Sequence, residues 1–360
     1  MGRRRSHVLL CAAAGPAVGF GHARRAHAVA VELRRRGIDA TMVLKQRGPQ
    51  ADWLLTQEET PCFLEPELDD AAALMREARR CGAPVVTLDV PTPLGRHDVL
   101  TLKRAGRAVV MIESDGPGRL SADLVVSSAP RPALSWRGAA GVHVASPAYA
   151  ILGEAFRPVP KRADGVPRVL VSMGANDADG MTLMAVAAVD RIRHEIHPVL
   201  VVGPGCRGRG DLQDALARTV RQWEVHYAVP ELAPLAGTAD VAVVAFGLAA
   251  YELAAAGVPA VLVPRRDSDR WHAELFASAG AAVVAERATD SIAETLGPLI
   301  VGVQLRRRYS LAAEQLVDGR GAERVAELLS GLAADRERAC RRSARRRGSR
   351  LAPLGRTSAN

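Results

Sequence analysis

The amino-acid sequence predicts an α/β protein built from two doubly wound domains, and three observations support this prediction. Short apolar runs alternate with helix-like runs along most of the chain, which is typical of βαβ units with parallel sheets. Pro158, Pro160 and Pro167 interrupt the alternation and indicate a linker over 156–167. The length of 360 residues is enough for about two domains.

The predicted elements fall into two series. In the first, strands are predicted at 7–14, 40–44, 84–89, 108–112 and 123–126, and helices between the first glycine-rich turn and Gly37, at 71–81 and at 98–105. In the second, strands are predicted at 169–172, 198–203, 241–244 and 259–263, and helices at 182–192, 212–220 and 250–256. The sequence therefore predicts domains over 1–157 and 166–332, with ligands bound in a cleft at the carboxyl ends of both sets of strands.

A glycine-rich turn joins the first predicted strand to the first predicted helix. Gly19 and Gly21 let the backbone approach a phosphate, and the helix start supplies free N–H groups and a partial positive charge. Because this charge disfavours an imidazolium, we expect His22 to be neutral and able to accept a proton beside bound phosphate. A purely structural His22 is the alternative, since such turns are common and the full GxGxxG pattern is missing.

Two turns of the second series are predicted to face that histidine. Their candidate nucleotide ligands are Gly174, Asn176, Asp177, Gly247, Tyr251 and Glu252. Glu252 lies in the first or second turn of its predicted helix, where a carboxylate either caps the helix or accepts both hydroxyls of a ribose. The residues alone leave both interpretations open.

The net charge of +9 is concentrated at the end of the chain, where nine arginines and two acidic residues lie in 335–360. This stretch has no apolar periodicity and is predicted to be a disordered Arg-rich tail. A contact with a polyanion is the alternative, but no aromatic residues are interleaved, so no specific nucleic-acid partner is expected.

Cysteine usage and hydropathy exclude several classes of protein. The five cysteines are scattered without CxxC spacing, so neither a disulfide framework nor a zinc site is indicated, and no metal or cofactor is expected. The arginines at 3–5 and the apolar run after them resemble a signal peptide, but cleavage near 26–28 would cut the strand–turn–helix unit. No membrane span is expected, and a cytoplasmic location is predicted.

Four segments together resemble the PseG/SpsG family of UDP-sugar hydrolases and spore-coat polysaccharide proteins, whose GT-B fold is shared with the MurG glycosyltransferase. The matching positions are Gly19, Gly21, His22 and Arg25; Gly174, Asp177 and Thr182; Tyr251, Glu252, Gly257 and Pro259; and the segment 318–325. The resemblance covers roughly residues 7–327. It implies that His22 is the catalytic base and that the second domain holds the UDP.

The chain departs from this family at two loops of the second domain. The family's small-Gly-Ser-Thr loop is Phe246–Ala249 here, so the hydroxyl that would touch the diphosphate is missing. The family's Asn-Gln pair, which meets the sugar, is replaced by the predicted loop 267–270. We therefore expect altered recognition of sugar and acceptor, which favours glycosyl transfer to a small acceptor over hydrolysis.

Among glycosyltransferases, this combination looks most like the cytosylglucuronate synthases of nucleoside-antibiotic pathways. That resemblance implies UDP-glucuronate as donor and cytosine as acceptor. Arg25, Arg266 or Arg270 would then pair with the sugar carboxylate, and no metal would be needed because helix N-termini stabilise the leaving diphosphate. A UDP-sugar hydrolase is the first alternative, and a nucleotide-sugar-binding protein without catalysis is the second.

Overall fold

Two parallel β-sheets, one in each half of the chain, form the frame of the protein. The computed structural model describes residues 6–14, 20–55, 61–67, 70–91, 94–130, 136–156, 158, 165–175, 177, 179–206, 208–229 and 231–349. Helices separate successive strands in each half. The predicted fold class of two doubly wound domains is thereby confirmed.

The first sheet has seven parallel strands in the order β3-β2-β1-β4-β5-β6-β7. The strands are β1 (His7–Ala12), β2 (Asp39–Leu44), β3 (Cys62–Leu64), β4 (Val85–Asp89), β5 (Ala108–Ile112), β6 (Leu124–Ser127) and β7 (Val142–Ala145). The helices are α1 (Gly21–Arg35), α2 (Pro49–Leu55), α3 (Ala71–Arg80) and α4 (Arg96–Arg104). The central strands are buried on both faces, which explains their continuous apolar sequences.

The second sheet has six parallel strands in the order β10-β9-β8-β11-β12-β13. The strands are β8 (Arg168–Ser172), β9 (His197–Val202), β10 (Glu224–Tyr227), β11 (Val241–Ala245), β12 (Ala260–Val263) and β13 (Ala282–Val284). The helices are α5 (Met181–Asp190), α6 (Arg209–Arg218), α7 (Ala233–Thr238), α8 (Leu248–Ala255), α9 (Asp267–Ser278), α10 (Thr289–Val301), α11 (Val303–Leu316) and α12 (Gly321–Ser349). Within the described residues, no helix is both long enough and apolar enough to cross a membrane.

The strand order reverses once in each sheet, between β1 and β4 in the first and between β8 and β11 in the second. At such a reversal the connecting loops leave in opposite directions and open a crevice at the carboxyl ends of the two central strands. The predicted histidine turn follows β1, and the two predicted nucleotide turns follow β8 and β11. The topology therefore places all three turns at switch points.

Helix α12 returns to the first domain, which corrects the predicted boundary at residue 332. Val325, Ala326, Leu329 and Ala333 are buried in the same core as residues of α1, β1 and β2. Their spacing places one apolar stripe on the helix, which can be buried only against another element. The second domain thus contributes its last helix to the core of the first.

Helix α12 continues to Ser349 and so extends into the stretch from residue 335 that the sequence predicted to be disordered. Arg336 pairs with Asp123 of the first domain at 3.0 Å, and Arg338 pairs with Asp335 at 2.6 Å. Arginine is a strong helix former, so the sequence composition that indicated a tail also permits a helix once one end is anchored. Residues 350–360 lie outside the described part of the chain.

Removing the side chain of Leu329 tests this packing. The substitution L329A is expected to lower the free energy of unfolding by about 2–5 kcal/mol, because it leaves a cavity in the first domain's core. Urea denaturation measures the change. E327A, at an exposed position of the same helix, is the control and should lie within about 0.5 kcal/mol of wild type. Equal stability of L329A and E327A would contradict the packing described here.

Candidate active site

A cavity of about 330 Å³ lies between the carboxyl ends of the two sheets. Six of the residues predicted from the sequence line it: Gly21, His22, Arg25, Gly174, Gly247 and Glu252. The structure therefore brings the histidine turn of the first domain to face both nucleotide turns of the second. Two further predicted residues, Gly19 and Asn176, lie outside the described residues.

His22 is held by a buried carboxylate at the end of a neighbouring strand. Its Nδ1 atom lies 2.6 Å from Oδ1 of Asp89, the last residue of β4. Burial opposes ionisation of Asp89, but the charge and hydrogen bonds of Arg25 and the hydrogen bond of His22 outweigh it and hold the pKa of Asp89 below its ordinary value.

The ionised state of Asp89 fixes the tautomer of His22. A carboxylate can only accept hydrogen bonds, so Nδ1 donates its proton to Asp89 and a neutral His22 carries its free lone pair on Nε2. The Arg25 guanidinium also lies 3.1 Å from Nδ1, but a protonated Nδ1 cannot accept from it. The arrangement leaves Nε2 as the nitrogen that can take a proton from a bound molecule.

The side chain of Arg25 directs its hydrogen bonds to Asp89 rather than into the open cleft. Its Nε atom donates to Oδ2 of Asp89 at 2.7 Å, and its Nη2 atom donates to Oδ1 at 2.8 Å. This two-point contact occupies the planar edge of the guanidinium. Arg25, predicted as a substrate ligand, therefore positions the carboxylate that orients His22.

Sequence reasoning missed Asp89 as a functional residue. The available signal was its place at the end of a strand-like run, because the carboxyl end of a central parallel strand opens onto the cleft. The sheet order was needed to use that signal. Only the pairing of β4 with β1 sets Asp89 beside the turn that carries His22.

Glu252 is buried and crosses the domain boundary. Its Oε1 atom lies 3.3 Å from Nη1 of Arg24 in α1, and only 5% of its side chain is exposed. Burial raises the pKa of Glu252 to about 7, although Arg24 acts in the opposite direction. The residue before α8 is Gly247, which has no side chain to cap the helix, and Glu252 accepts a hydrogen bond from Arg24 of the first domain.

Tyr251 packs against the domain interface and does not line the cavity. Its ring is in edge-to-face contact with Phe276, with the centroids 5.0 Å apart, and with Phe246 at 6.0 Å. Its hydroxyl lies near Ser128 of the first domain, and burial raises the pKa of Tyr251. Tyr251 therefore sets the position of α8 relative to the first domain.

Asp177 uses its carboxylate within its own domain. It accepts hydrogen bonds from the backbone N–H groups of Met181 at 2.8 Å and Thr182 at 2.9 Å, at the start of α5. The first turn of a helix leaves such groups without intrahelical partners, so Asp177 satisfies them. This predicted ligand thus shapes the turn after β8, while Gly174 faces the cavity.

The segment 265–270 differs from its predicted role. The sequence predicted a sugar-binding loop over 267–270, but these residues form the first turn of α9. Arg270 is paired with both oxygens of Glu286. Arg266 is exposed and does not line the cavity, whereas the neighbouring Arg265 does.

Ionisable side chains of several kinds line the cavity. Among the described residues, no group of three or more His, Cys, Asp or Glu side chains is arranged to hold a metal ion. The ionisable side chains that line the cavity are those of arginine, histidine and glutamate. These side chains and the start of α8 are suited to binding an anionic, hydroxyl-bearing molecule.

The two facing domains, with the cavity at their switch points, define a GT-B fold. Solved structures with this fold are similar over most of the chain. MurG of Acinetobacter baumannii has a TM-score of 0.65 at 18% identity and is matched over 91% of this chain and 99% of its own. CalG4, the calicheamicin glycosyltransferase, has a TM-score of 0.62 at 16% identity over 92% of this chain and 99% of its own.

A curated relative extends the comparison to sequence. The spore coat polysaccharide biosynthesis protein SpsG of Bacillus subtilis strain 168 is 23% identical over 344 residues, which are 91% of this chain and 98% of that protein. This match agrees with the SpsG part of the resemblance predicted from the motifs. No protein-family model matches the chain.

The pH dependence of stability tests the burial of Glu252. A carboxyl group whose pKa is raised by folding, here from 4.5 to about 7, stabilises the folded state below its unfolded pKa and loses that contribution as the pH rises through its folded pKa. Between pH ~4.5 and ~7, the free energy of unfolding of the wild type should fall relative to E252Q by about 3 kcal/mol.

Urea denaturation at several pH values within this window measures the difference. E294Q, at an exposed glutamate of α10, is the matched control, and its free energy of unfolding should change with pH in the same way as that of the wild type. A constant difference between wild type and E252Q across the window would show that Glu252 has the same pKa in the folded and unfolded states.

Proposed function

We propose that this protein is a UDP-sugar-dependent glycosyltransferase that moves a sugar to a small acceptor without a metal ion. The observation that carries the proposal is the pair formed by His22 and Asp89 at the cleft. A histidine with a carboxylate on Nδ1 and a free Nε2 is suited to general-base catalysis. A protein that only binds a nucleotide sugar has no use for such a base.

The second domain supplies the nucleotide site in this proposal. Glu252 accepts the ribose hydroxyls, and the start of α8 at Gly247 points its free N–H groups at the diphosphate. The choice of UDP as the nucleotide is supported by a solved structure with the same fold. The HepE protein of Anabaena, described in complex with UDP and glucose, has a TM-score of 0.61 at 15% identity over 91% of this chain and all of its own.

The reaction follows from these positions. His22 Nε2 takes a proton from a hydroxyl or ring nitrogen of the acceptor as that atom attacks the anomeric carbon of the donor. The bond between this carbon and the diphosphate oxygen breaks, and UDP leaves with the electron pair. Asp89 stabilises the imidazolium that forms, and the N–H groups of α8 stabilise the charge that develops on the diphosphate.

The donor and acceptor are proposed from the departures at the sugar loop. Loss of the family's Asn-Gln pair favours a sugar other than a diacetamido sugar, and UDP-glucuronate with cytosine as acceptor is the pair implied by the resemblance to cytosylglucuronate synthases. This would place the protein in nucleoside-antibiotic biosynthesis. The runner-up is a UDP-sugar hydrolase, in which the same His22 deprotonates water.

Removing the base tests the role of His22. H22A and H22N should lower turnover by about 10²–10⁴-fold while the affinity for UDP changes little, because only proton transfer is lost. Steady-state kinetics and calorimetry with UDP measure the two effects. H27A is the matched control on the same helix, since His27 does not line this cavity. Turnover of H22A within threefold of wild type would exclude His22 as the base.

Transfer and hydrolysis are distinguished by the dependence on an acceptor. The protein should release UDP from its UDP-sugar donor slowly when no acceptor is present. Release should become faster when the right acceptor is added, because the acceptor supplies the nucleophile. A panel of nucleobases and sugars, with cytosine included, is followed by UDP detection and mass spectrometry of products. Equal release with and without every acceptor would favour the hydrolase. No release from any UDP-sugar would leave only binding.

A further inference from the structure

The arginines around the donor cavity differ in what they already bind. Arg25 is committed to Asp89 through two hydrogen bonds, and Arg24 is paired with Glu252. Arg270 is held by Glu286 through both of its Nη atoms. Arg266 is exposed and does not line the cavity. An anion in the cavity could therefore bind Arg25 or Arg270 only if that arginine lost a partner. Arg24, which also lines the cavity, contacts Glu252 through Nη1, and its Nε atom is buried without a hydrogen-bond partner among the described residues.

Arg265 is different. It lines the cavity at the end of β12, and its side chain is 45% exposed. Its nearest charged partner is Asp269, whose Oδ2 atom lies 3.8 Å from Nε, too far for a hydrogen bond. Within the described residues, the Nη atoms of Arg265 have no hydrogen-bond partner. The Nη donors of Arg265 are thus free to bind an anion in the cavity, while the carboxylate of Asp269 lies 3.8 Å from Nε.

The guanidinium of Arg265 lies over the start of α8. A Cβ atom built on Gly247, the residue before this helix, would be 3.9 Å from Nη2 of Arg265. Free N–H groups of the helix and donor groups of Arg265 therefore meet at one place. A helix start and a guanidinium side by side favour two or more anionic oxygens, since each can bind one or two of them.

We propose that Arg265 binds an anionic group of the donor beyond its nucleoside, through the oxygens of the diphosphate or of a carboxylate on the sugar. This inference rests on the proposed function and identifies a residue that sets donor specificity. It also accounts for the missing hydroxyl of Phe246–Ala249, because a guanidinium from the next strand supplies donor groups at the same helix start. The positive charge of Arg265 would bind the diphosphate and would also stabilise the negative charge that develops on it as it leaves.

Calorimetric titration of R265A and of R266A tests the proposal. Arg266 is the matched control because it is the adjacent residue, of the same type and charge, and is exposed outside the cavity. The probes are uridine, UDP, UDP-glucose and UDP-glucuronate. R265A should bind UDP-glucuronate, which carries both anionic groups, about tenfold more weakly than wild type, as expected for one lost charge-assisted hydrogen bond, and should bind uridine within twofold of wild type. R266A should bind all four as wild type does.

The source of the anionic oxygens is read from the same data. A loss shared by UDP, UDP-glucose and UDP-glucuronate assigns Arg265 to the diphosphate, whereas a loss confined to UDP-glucuronate assigns it to the sugar carboxylate. If R265A binds UDP, UDP-glucose and UDP-glucuronate as tightly as the wild type does, or if R266A loses as much affinity as R265A, this inference is wrong while the proposed function still stands. Failure of the wild type to bind uridine or UDP overturns the proposed nucleotide site, and this inference falls with it.

Discussion

The buried carboxylate of Asp89 is the group on which the arrangement of the cleft depends. Only 3% of its side chain is exposed, and it faces both Arg25 and His22. A buried charge of this kind is tolerable only when hydrogen-bonded and paired, so the guanidinium of Arg25 is required for Asp89 to stay ionised. An ionised Asp89 in turn decides which nitrogen of His22 is free. The tautomer of His22 thus depends on the ion pair between Asp89 and Arg25 inside the first domain.

Contacts between the domains then bring the second half of the chain to that histidine. Glu252 of helix α8 pairs with Arg24 of the first domain, and the preceding residue, Tyr251, lies near Ser128 of that domain. Helix α12 adds an apolar contact by packing in the first domain's core. The polar contacts set how the two sides of the cleft are aligned, and the burial of apolar side chains of α12 stabilises the contact between the domains.

Several residues that resemble ligands in a motif have structural roles here. Asp177 caps α5, Arg25 holds Asp89, and Tyr251 packs on Phe276. Such residues still determine function, because a side chain that touches substrate must be positioned by neighbours with fixed geometry. The groups that line the cavity between the domains include His22, Glu252, Arg265 and the backbone at Gly247.

The sequence by itself determined the two βαβ series, the three cleft turns and the placement of His22 and Glu252, because apolar runs and glycine turns are local signals. Tertiary structure decided what local signals do not contain. The pairing of β4 with β1 places Asp89 beside His22. Helix α12 packs in the core of the first domain rather than in that of the second. In and before α9, Arg270 pairs with Glu286, whereas Arg265 lines the cavity. Partners distant in the chain are set by sheet order and helix packing, which residue spacing along one segment does not specify.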